Sequence, residues 1–461
     1  MVNGNPKALK VAIFGSGPSG FYAAEELLAE SNPEVRVDMF DRLPTPFGLV
    51  RGGVAPDHQK IKSVIKIYEK TAGRPGFRFF GNVEFGRELS LEDLKNYYDA
   101  AIFAVGAKSD RKMGIPGEDL SGSFAATAFV GWYNAHPDYQ DLAFDLSCER
   151  VAVIGNGNVA VDVARILARD PETLKTTDIS EAALSALRKS KIKEIVMIGR
   201  RGPAQAQFTN PEIRELCELP GADLIVDPKE LDLDALSIAD LEVNVGGTKS
   251  KGNVDILKAH SLKAASGKPR KLILKFLASP VELLGKAGQV SQIRLEKNKL
   301  ARDQDGSLKA VGTGVFETYD IGLVLRSIGY KGVPVPGLPY DDKKGTIPNS
   351  EGRIVDAQLK PIPGLYVVGW AKRGPSGVIG TNKPDSIDTA RRLLEDAQNK
   401  ITLPGANICK DVSDLFKEKK LQTVSFEDWK KLDQIEMDRG KSSGKVRDKF
   451  STIPEMLSAL K

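Results

Sequence analysis

The fold of this chain is decided by the stretch Val11-Ala12-Ile13-Phe14-Gly15-Ser16-Gly17-Pro18-Ser19-Gly20. Four apolar residues, typical of a buried parallel strand, run directly into G-x-G-x-x-G, and residues 21–28 continue with the apolar spacing of a helix. In such a motif the three glycines permit a tight turn, close approach to a pyrophosphate and close helix–strand packing. The helix N-terminus offers unpaired N–H groups to the anion. The sequence therefore predicts a dinucleotide-binding βαβ unit here.

An acidic residue after the next predicted strand strengthens this prediction. Residues 35–40 have the composition of a strand, and Asp41 follows about 20 residues after Gly20, where a carboxylate can accept a hydrogen bond from a ribose hydroxyl. The alternative is a glycine-rich turn in a Rossmann-like sheet that binds no nucleotide.

A second motif of the same kind lies further along the chain. Residues 151–154 form an apolar strand pattern, residues 155–160 read Gly-Asn-Gly-Asn-Val-Ala, and a helix pattern follows to Ala168. Its partner strand, residues 195–199, leads into Arg200-Arg201 where the first motif has an acid. Guanidinium groups pair with a 2′-phosphate, whereas a carboxylate binds a free 2′-hydroxyl, so the pair favours NADP over NAD. Two solvated arginines at a strand end are the alternative.

Composition excludes several function classes. At 461 residues the chain suggests two or three domains, and no apolar run approaches the ~18 residues of a membrane span. The N-terminus carries no signal or transit pattern, so we expect a cytoplasmic protein with no stable membrane insertion. Three widely separated cysteines and three histidines argue against a dithiol redox centre and against a metal site, so any redox chemistry needs an organic cofactor.

The remaining composition bears on partners. A net charge of +5 is too small to argue for nucleic acid but is compatible with an acidic protein partner. The lysine-rich segment around residues 249–271 is most simply a solvated face and could also bind such a partner. Cys148, Cys217 and Cys409 are interpreted as packing residues.

Other segments give coarser predictions. The Pro- and Gly-rich residues 43–58 predict a long ligand-lining loop without helix or strand. Asn210 is a candidate N-cap of a helix that carries Glu212 and Glu215 on one face. We expect helices at residues 60–71, 179–191 and 384–397, and strands at 77–80, 83–85, 100–107, 271–277 and 364–369. Domain connections are expected at 108–120 and 323–329. The tail from residue 401 is expected to pack on the surface and to carry no catalytic residue.

Five longer motifs indicate a family. They are residues 46–51 (PFGLVR), 54–58 (VAPDH), 155–160 (GNGNVA), 199–203 (GRRGP) and 369–383 (GWAKRGPSGVIGTNK). Through them nearly the whole chain resembles a ferredoxin-NADP reductase of the adrenodoxin reductase type, a flavoprotein with two dinucleotide-binding domains. The resemblance implies an α/β fold of two Rossmann-like domains. The FAD domain comprises residues 1–107 and 327–461, which include the C-terminal tail, and the NADP domain, residues 108–326, is inserted between these two parts.

The same resemblance implies FAD in the first domain, NADP(H) in the second, and single electrons leaving the flavin for a small iron-sulfur protein of the ferredoxin type. From the net charge of +5 we expect that partner to be acidic. It places FAD at Gly15, Gly17, Ser19, Gly20, Asp41, Leu49, Trp370, Gly377, Val378 and Ile379. It places NADP at Gly155, Gly157, Asn158, Val159, Arg200, Arg201, Glu212 and Gly377. Asp41 stands where many relatives carry Glu. The helix expected at residues 384–397 would stabilise an anionic reduced flavin if its N-terminus faced the flavin ring.

His58, Asp162 and Glu215 are the candidate polar groups near the nicotinamide and the flavin. Hydride transfer needs no protein nucleophile, so positioning and electrostatics would be their whole role; a purely structural histidine is the alternative for His58. Three other functions stay open: a subunit that supplies electrons to another oxidoreductase, a flavin monooxygenase, and a nucleotide-holding sensor without turnover. The sequence leaves the number of subunits undecided.

Overall fold

The structure is a computed structural model that describes residues 8–243, 245, 247–405 and 410–461. Its first portion is a βαβ region that runs to the first interdomain connection. The elements are β1 (Leu9–Phe14), α1 (Pro18–Leu27), β2 (Val35–Asp41), α2 (Leu49–Gly52), α3 (Gln59–Lys62), α4 (Ile65–Ala72), β3 (Phe77–Gly81), α5 (Leu91–Tyr97), β4 (Ala100–Phe103) and β5 (Ser109–Asp110).

The middle portion forms a second α/β unit with an added antiparallel sheet. Its elements are β6 (Ser123–Ala125), α6 (Ala126–Tyr133), β7 (Arg150–Ile154), α7 (Asn158–Ala168), α8 (Pro171–Leu174), α9 (Glu181–Arg188), β8 (Glu194–Ile198), α10 (Asn210–Cys217), β9 (Ala222–Val226), α11 (Ala235–Glu242), α12 (Gly247–Ser261), β10 (Arg270–Lys275), β11 (Ala278–Lys286), β12 (Gln289–Arg302), β13 (Leu308–Asp320) and β14 (Leu323–Arg326).

The last portion returns to the first unit and ends in three helices. Its elements are β15 (Tyr330–Lys331), β16 (Asn349–Ser350), β17 (Arg353–Val355), β18 (Pro361–Val367), α13 (Trp370–Arg373), α14 (Asn382–Gln398), α15 (Val412–Glu418), α16 (Phe426–Ser443) and α17 (Ile453–Ser458).

Strand order shows how the portions combine. The first sheet has the order β16-β17-β18-β4-β1-β2-β3, so β18 from the last portion pairs in parallel with β4, with Leu365 opposite Ala101. The second sheet, β6-β14-β7-β8-β10-β9, uses only strands of the middle portion. A short antiparallel pair, β5 with β15, joins the two connections. The middle unit is therefore inserted into the first, as predicted.

Several local predictions need correction. Residues 323–326 form β14, a central strand between β6 and β7, because Leu323 and Leu325 are buried in the core of the inserted unit; the connection begins after Arg326. Residues 83–85 form no strand; Phe85 makes only an isolated bridge with Leu89. The loop at 43–58 contains the one-turn helix α2. The helix expected at 60–71 is divided into α3 and α4, where the Ser63 hydroxyl donates to the Lys60 carbonyl at 2.7 Å.

The two described cysteines, Cys148 and Cys217, are free and pack against the core of the inserted unit, which confirms them as packing residues. Cys409 lies outside the described residues.

The C-terminal tail is part of the core, and the expected surface packing is wrong. Trp429, Leu432 and Met456 are buried against the side chains of the first unit. Glu436, on the same helix as Trp429, is fully buried and pairs in a bidentate manner with Arg51, with N–O distances of 2.8 and 2.5 Å. Tight pairing of this kind is what allows a carboxylate to be buried. No sequence pattern indicates this pair, because 385 residues separate the two partners.

The segment Lys445 to Lys449 connects the tail to the inserted unit. The Val446 N–H donates to the Thr176 carbonyl at 3.2 Å, and the Lys445 ammonium pairs with Glu181 at 2.8 Å. Lys449 extends into a buried cluster that we call the interdomain cluster, defined by Lys62, Asp178 and Lys449. The Asp178 carboxylate lies 2.7 Å from the Lys62 Nζ and 2.8 Å from the Lys449 Nζ.

Burial and charge shape the titration of this cluster. Burial disfavours the charged ammonium of Lys449 and, with the neighbouring cations, lowers its pKa to about 7 despite the attraction of Asp178. Burial alone would raise the pKa of Asp178, but the two lysines outweigh it and hold that pKa well below its usual value. One carboxylate from the inserted unit thus holds two lysines of the first unit.

Candidate functional site

The first glycine motif adopts the geometry that a dinucleotide needs. Gly15 has φ +106°, and a Cβ there would lie 2.4 Å from the Ala104 carbonyl oxygen, so no larger residue fits. A Cβ on Gly20 would meet the Gly15 carbonyl oxygen at 2.2 Å. At Gly17, by contrast, a Cβ would meet no atom within 4 Å, so this glycine faces open space at the start of α1. That open space is where a pyrophosphate fits against the helix N-terminus.

We predict that Gly15→Ala yields protein with little bound FAD. A side chain at positive φ costs about 1–3 kcal/mol, and the clash with the Ala104 backbone adds to it. The flavin-to-protein absorbance ratio after purification checks this. Gly73→Ala is the matched control, because Gly73 has φ −83° and its nearest neighbouring atom would be 3.5 Å away. Full flavin content in Gly15→Ala would contradict the assignment.

Asp41 and the following loop close one side of this motif. Asp41, at the end of β2, accepts hydrogen bonds from the Ser16 N–H at 3.0 Å and the Ser16 hydroxyl at 2.5 Å. The Phe47 N–H donates to the Ser16 carbonyl at 3.0 Å, and a Cβ on Gly48 would lie 3.0 Å from the Gly17 Cα. The loop that carries Leu49 therefore lies against the glycine motif, with Leu49 itself 40% exposed.

The opposite side comes from the chain after the inserted unit. The Ser19 hydroxyl donates to the Asn382 side-chain oxygen at 3.1 Å, which brings the N-termini of α1 and α14 together. Trp370 lies half-buried with its ring centroid 5.0 Å from that of Tyr330, and its indole N–H donates to the Ser376 carbonyl. The predicted residues Gly377, Val378 and Ile379 precede α14, and Val378 is 57% exposed.

The second glycine motif repeats the first. Gly155 has φ +133°, with a Cβ there 2.1 Å from the Ser327 carbonyl oxygen, whereas a Cβ at Gly157 would meet nothing within 4 Å. Asn158 and Val159 form the first turn of α7. The Asn158 side-chain oxygen accepts from the Thr209 N–H at 2.9 Å. Thr209 is also the N-cap residue of α10, which corrects the prediction of Asn210.

Arg200 and Arg201 follow β8 directly, as the sequence places them. Arg200 is exposed and Arg201 half-buried, and within the described part of the chain neither forms an ion pair. Burial lowers the pKa of Arg201, and the charge of Arg200 lowers it further. Two adjacent cations without a carboxylate are suited to an anionic ligand such as a phosphate ester.

The three candidate catalytic residues are brought together between the two units. The His58 Nε2 lies 3.1 Å from a Glu215 carboxylate oxygen, and its Nδ1 lies 3.8 Å from Asp162. His58 comes from the loop of the first unit, whereas Asp162 on α7 and Glu215 on α10 belong to the inserted unit. Glu212, predicted as an NADP contact, joins the same group of side chains.

Sequence reasoning missed the buried arginine at the centre of this group. Arg165 is fully buried; it donates to both Asp57 carboxylate oxygens at 2.8 and 3.0 Å, to Asp162 at 2.6 Å and to Glu212 at 3.3 Å. The only signals in the sequence are its spacing of three residues from Asp162 on one helix and the position of Asp57 beside His58. Arg165 therefore fixes the carboxylates of both units around one cation.

Burial and neighbouring charges shift the pKa values of the titrating side chains of this site in different directions. Burial opposes charge on His58, but its hydrogen bond with Glu215 and the charges of Asp162 and Asp57 outweigh that effect, and its pKa is raised. The hydrogen bond with His58 lowers the pKa of Glu215. Burial raises the pKa of Asp162 and, together with the Asp162 charge, that of Glu212. The protonation of these side chains is therefore governed by their contacts with one another and with Arg165.

We predict that Glu215→Gln lowers the pKa of His58. The variant removes the hydrogen bond that most raises that pKa, while burial and the Arg165 charge, which lower it, remain. In the wild type the raised pKa of His58 stabilises the folded state. That contribution is fully present below the unfolded-state pKa of about 6.5, and it is lost as pH rises through the pKa of His58 in the folded state. The variant should therefore lose stability mainly on the acid side.

A carbon-13 NMR titration of labelled histidine measures this pKa, because the chain has only three histidines and His136 titrates with its pKa lowered to about 4. His58→Gln identifies the resonance. Glu218→Gln, an exposed carboxylate that follows the same helix, is the control. A titration midpoint of His58 that is identical in Glu215→Gln and wild type would show that the hydrogen bond does not set it.

Both cofactor sites fit the groups that the fold implies. Gly17 and Gly157 leave open space beside helix N-termini, as a bound pyrophosphate requires. One buried polar atom in the second glycine motif, the Asn156 side-chain oxygen, has no hydrogen-bond partner among the described residues. A donor group of a bound nucleotide would satisfy such an atom. A search of the described helices finds none that is both long and apolar enough to cross a membrane.

Two glycine motifs of this geometry, one beside a carboxylate and one beside paired arginines, define a two-nucleotide oxidoreductase. Residues 9–216 match the family model described as pyridine nucleotide-disulphide oxidoreductase. The chain is 47% identical over 453 residues to NADPH-ferredoxin reductase FprA of Mycobacterium leprae (strain TN), covering 97% of each. It is 42% identical over 468 residues to mitochondrial NADPH:adrenodoxin oxidoreductase of Homo sapiens, covering 98% of this chain and 92% of that protein.

A solved structure, Mycobacterium tuberculosis FprA in complex with NADPH, matches with a TM-score of 0.92 at 46% identity, covering 98% of this chain and 100% of that chain. The protein belongs to this family of NADPH-ferredoxin and adrenodoxin reductases. The resemblance, the α/β fold with one Rossmann-like domain inserted into the other, and the cofactors FAD and NADP(H) are confirmed.

Proposed function

We propose that this protein oxidises NADPH and passes the electrons through FAD, one at a time, to a ferredoxin. The observation that carries the proposal is the direct contact between two nucleotide-binding units of one chain, through His58 and Glu215. The relatives that cover nearly the whole chain are named for NADPH and for ferredoxin or adrenodoxin. FAD, when bound, accepts two electrons together and releases them singly. Since the chain has no C-x-x-C, electrons leave from the flavin itself.

For FAD we propose the first glycine motif and the two segments that flank it. The residues are Gly15, Gly17, Ser19, Gly20, Asp41, Leu49, Trp370, Gly377, Val378 and Ile379. Support comes from the open space at Gly17 and from the meeting of the α1 and α14 N-termini, which gives a positive end to stabilise negative charge. Asp41 is already hydrogen-bonded to Ser16, so its remaining lone pairs would accept a ribose hydroxyl.

For NADP we propose the second glycine motif and the side chains that follow β8. The residues are Gly155, Gly157, Asn158, Val159, Arg200, Arg201, Glu212 and Gly377. Support for this assignment comes from the open space at Gly157 and from the charges of the two arginines, which have no carboxylate partner in the part of the chain that the structure describes. Arg165 holds Glu212 in place at 3.3 Å, so the carboxylate is oriented before a nucleotide binds.

His58, Asp162 and Glu215 we propose as positioning groups for hydride transfer. They lie where the inserted unit meets the loop of the first unit, and the raised pKa of His58 suits it to exchange a proton with its carboxylate neighbours. Their placement was predicted from the sequence; their part in the reaction is our proposal.

Two measurements test the function. Stopped-flow mixing with NADPH should bleach the flavin absorbance, and cytochrome c reduction should require added ferredoxin. A flavin that stays oxidised for minutes after mixing would favour a sensor. Cytochrome c reduction that depends on another catalytic subunit and not on ferredoxin would favour an electron-supplying subunit. Rapid oxygen consumption that depends on an organic substrate would favour a monooxygenase.

We further propose domain boundaries at 107/108 and 326/327, with a cytoplasmic location. The pairing of β14 inside the second sheet and of β18 inside the first supports the boundaries, and limited proteolysis with mass analysis tests them.

The free Cys148 and Cys217 suit a reducing compartment such as the cytoplasm. Because the human relative is named as mitochondrial, cell fractionation is the test of location.

A further inference from the structure

Lys249 differs from the other lysines of its helix. It lies in the first turn of α12 and is half-buried, whereas Lys251 and Lys258 on the same helix are exposed. The expected solvated lysine face therefore does not include it. Partial burial disfavours the charged ammonium unless a polar or anionic group faces it.

Specific contacts hold Lys249 beside the loop that follows the arginine pair. Its ammonium donates to the Gln207 side-chain oxygen at 3.3 Å, and its carbonyl accepts from the Asn210 side-chain amide at 3.0 Å. The Gln207 N–H in turn donates to the Asn156 carbonyl inside the second glycine motif at 2.7 Å. The first turn of α12 is thereby attached to the proposed nucleotide site.

Arg200, Arg201 and Lys249 bring three positive charges to this part of the inserted unit. Within residues 8–243, 245, 247–405 and 410–461, Arg200, Arg201 and Lys249 form no ion pair with a carboxylate. Burial lowers the pKa of Lys249, and the charge of Arg201 lowers it further, so the two side chains are close enough to repel each other. Like charges that approach in this way are unfavourable unless a ligand neutralises them.

We propose that Lys249 is a third cation of the site that binds the 2′-phosphate of NADP(H), beside Arg200 and Arg201. A phosphate monoester carries close to two negative charges, and its oxygens accept hydrogen bonds from lysine and arginine together. Lys249 thus selects NADPH against NADH. This inference rests on the proposed NADP site, and it adds a residue from a helix that none of the five sequence motifs includes.

Direct binding to the FAD-loaded protein tests it, using adenosine 2′,5′-bisphosphate as the probe and 5′-AMP as the ligand that lacks the 2′-phosphate. Lys249→Gln should raise the calorimetric Kd of the bisphosphate by about 10-fold and leave 5′-AMP unchanged, because one charged hydrogen bond is lost. The dependence of that Kd on salt concentration should also become shallower. Lys249→Arg should restore most of the affinity, and Lys251→Gln should behave as wild type.

Arg201→Gln separates the two ways in which the test can fail. If Arg201→Gln weakens the bisphosphate and Lys249→Gln binds within twofold of wild type, the role of Lys249 is overturned and the proposed NADP site stands. If neither substitution weakens binding, the site itself is misplaced and the inference falls with it. Equal weakening of 5′-AMP by Lys249→Gln would also overturn the inference, because it would show a general loss of the adenosine site.

Discussion

Replacing both Arg200 and Arg201 with glutamine is expected to remove the preference for NADPH. Each charged hydrogen bond to a phosphate contributes about 1.5–3 kcal/mol, so losing two should lower kcat/KM for NADPH by about 10²- to 10⁴-fold. NADH has no 2′-phosphate, so its kcat/KM should change little. Both arginines lack a carboxylate partner among the described residues, and for that reason their removal leaves no carboxylate unpaired and should not unfold the protein.

Steady-state kinetics with both coenzymes at several salt concentrations measures this effect. Arg188→Gln is the matched control: it removes an exposed arginine of the same domain, one that pairs with Glu172 at 2.8 Å on the surface. A wild-type protein that uses NADH as efficiently as NADPH would refute the role of the arginine pair before any variant is made.

Asp178→Asn is expected to give the largest loss of stability. The substitution removes the one carboxylate of the interdomain cluster, so the buried Lys62 and Lys449 must either stay charged without a counter-charge or give up their protons on folding, and both cost stability. Breaking a buried ion pair from one side costs about 3–5 kcal/mol. Because the cluster joins the inserted unit to the first unit and the tail, the flavin should be released at a lower temperature than in the wild type.

Thermal release of flavin fluorescence and urea unfolding measure this loss. Adding Lys449→Gln to Asp178→Asn should recover part of it, because one of the two unpaired charges is then removed. Glu149→Gln is the control, since Glu149 pairs with Lys193 on the surface, where solvent screens an ion pair and its loss has little effect on stability. Equal unfolding midpoints for Asp178→Asn and Glu149→Gln would show that the cluster does not hold the units together.

The sequence predicted the backbone geometry of the two glycine motifs because local requirements define it. Gly15 and Gly155 are needed at positive φ within a few residues of a strand, and that demand is visible in the spacing alone. Arg200 and Arg201 follow their strand directly, so the strand places them at the edge of the sheet where the glycine motif also lies.

Interactions between distant segments were not predictable in this way. Arg165 and Glu436 are charged residues that composition assigns to the surface, yet both are fully buried because partners far along the chain neutralise them. Trp429 and Leu432 are spaced as one face of a helix, but the spacing does not reveal that the first unit covers this face. The expected connection at residues 323–329 was wrong for residues 323–326, because the pattern of a four-residue apolar strand is hard to distinguish from that of an apolar linker.

The pairing of β4 with β18 also affects the order in which the protein is made. On the ribosome, β1 to β4 emerge long before β18, and all six strands of the inserted sheet emerge between them. The inserted domain therefore has its complete sheet, and can fold, while the flavin domain still lacks a central strand and the buried helix of the tail. The sheet of the flavin domain is accordingly complete only after β18 has been made, and until then the β4 edge has no parallel partner on that side.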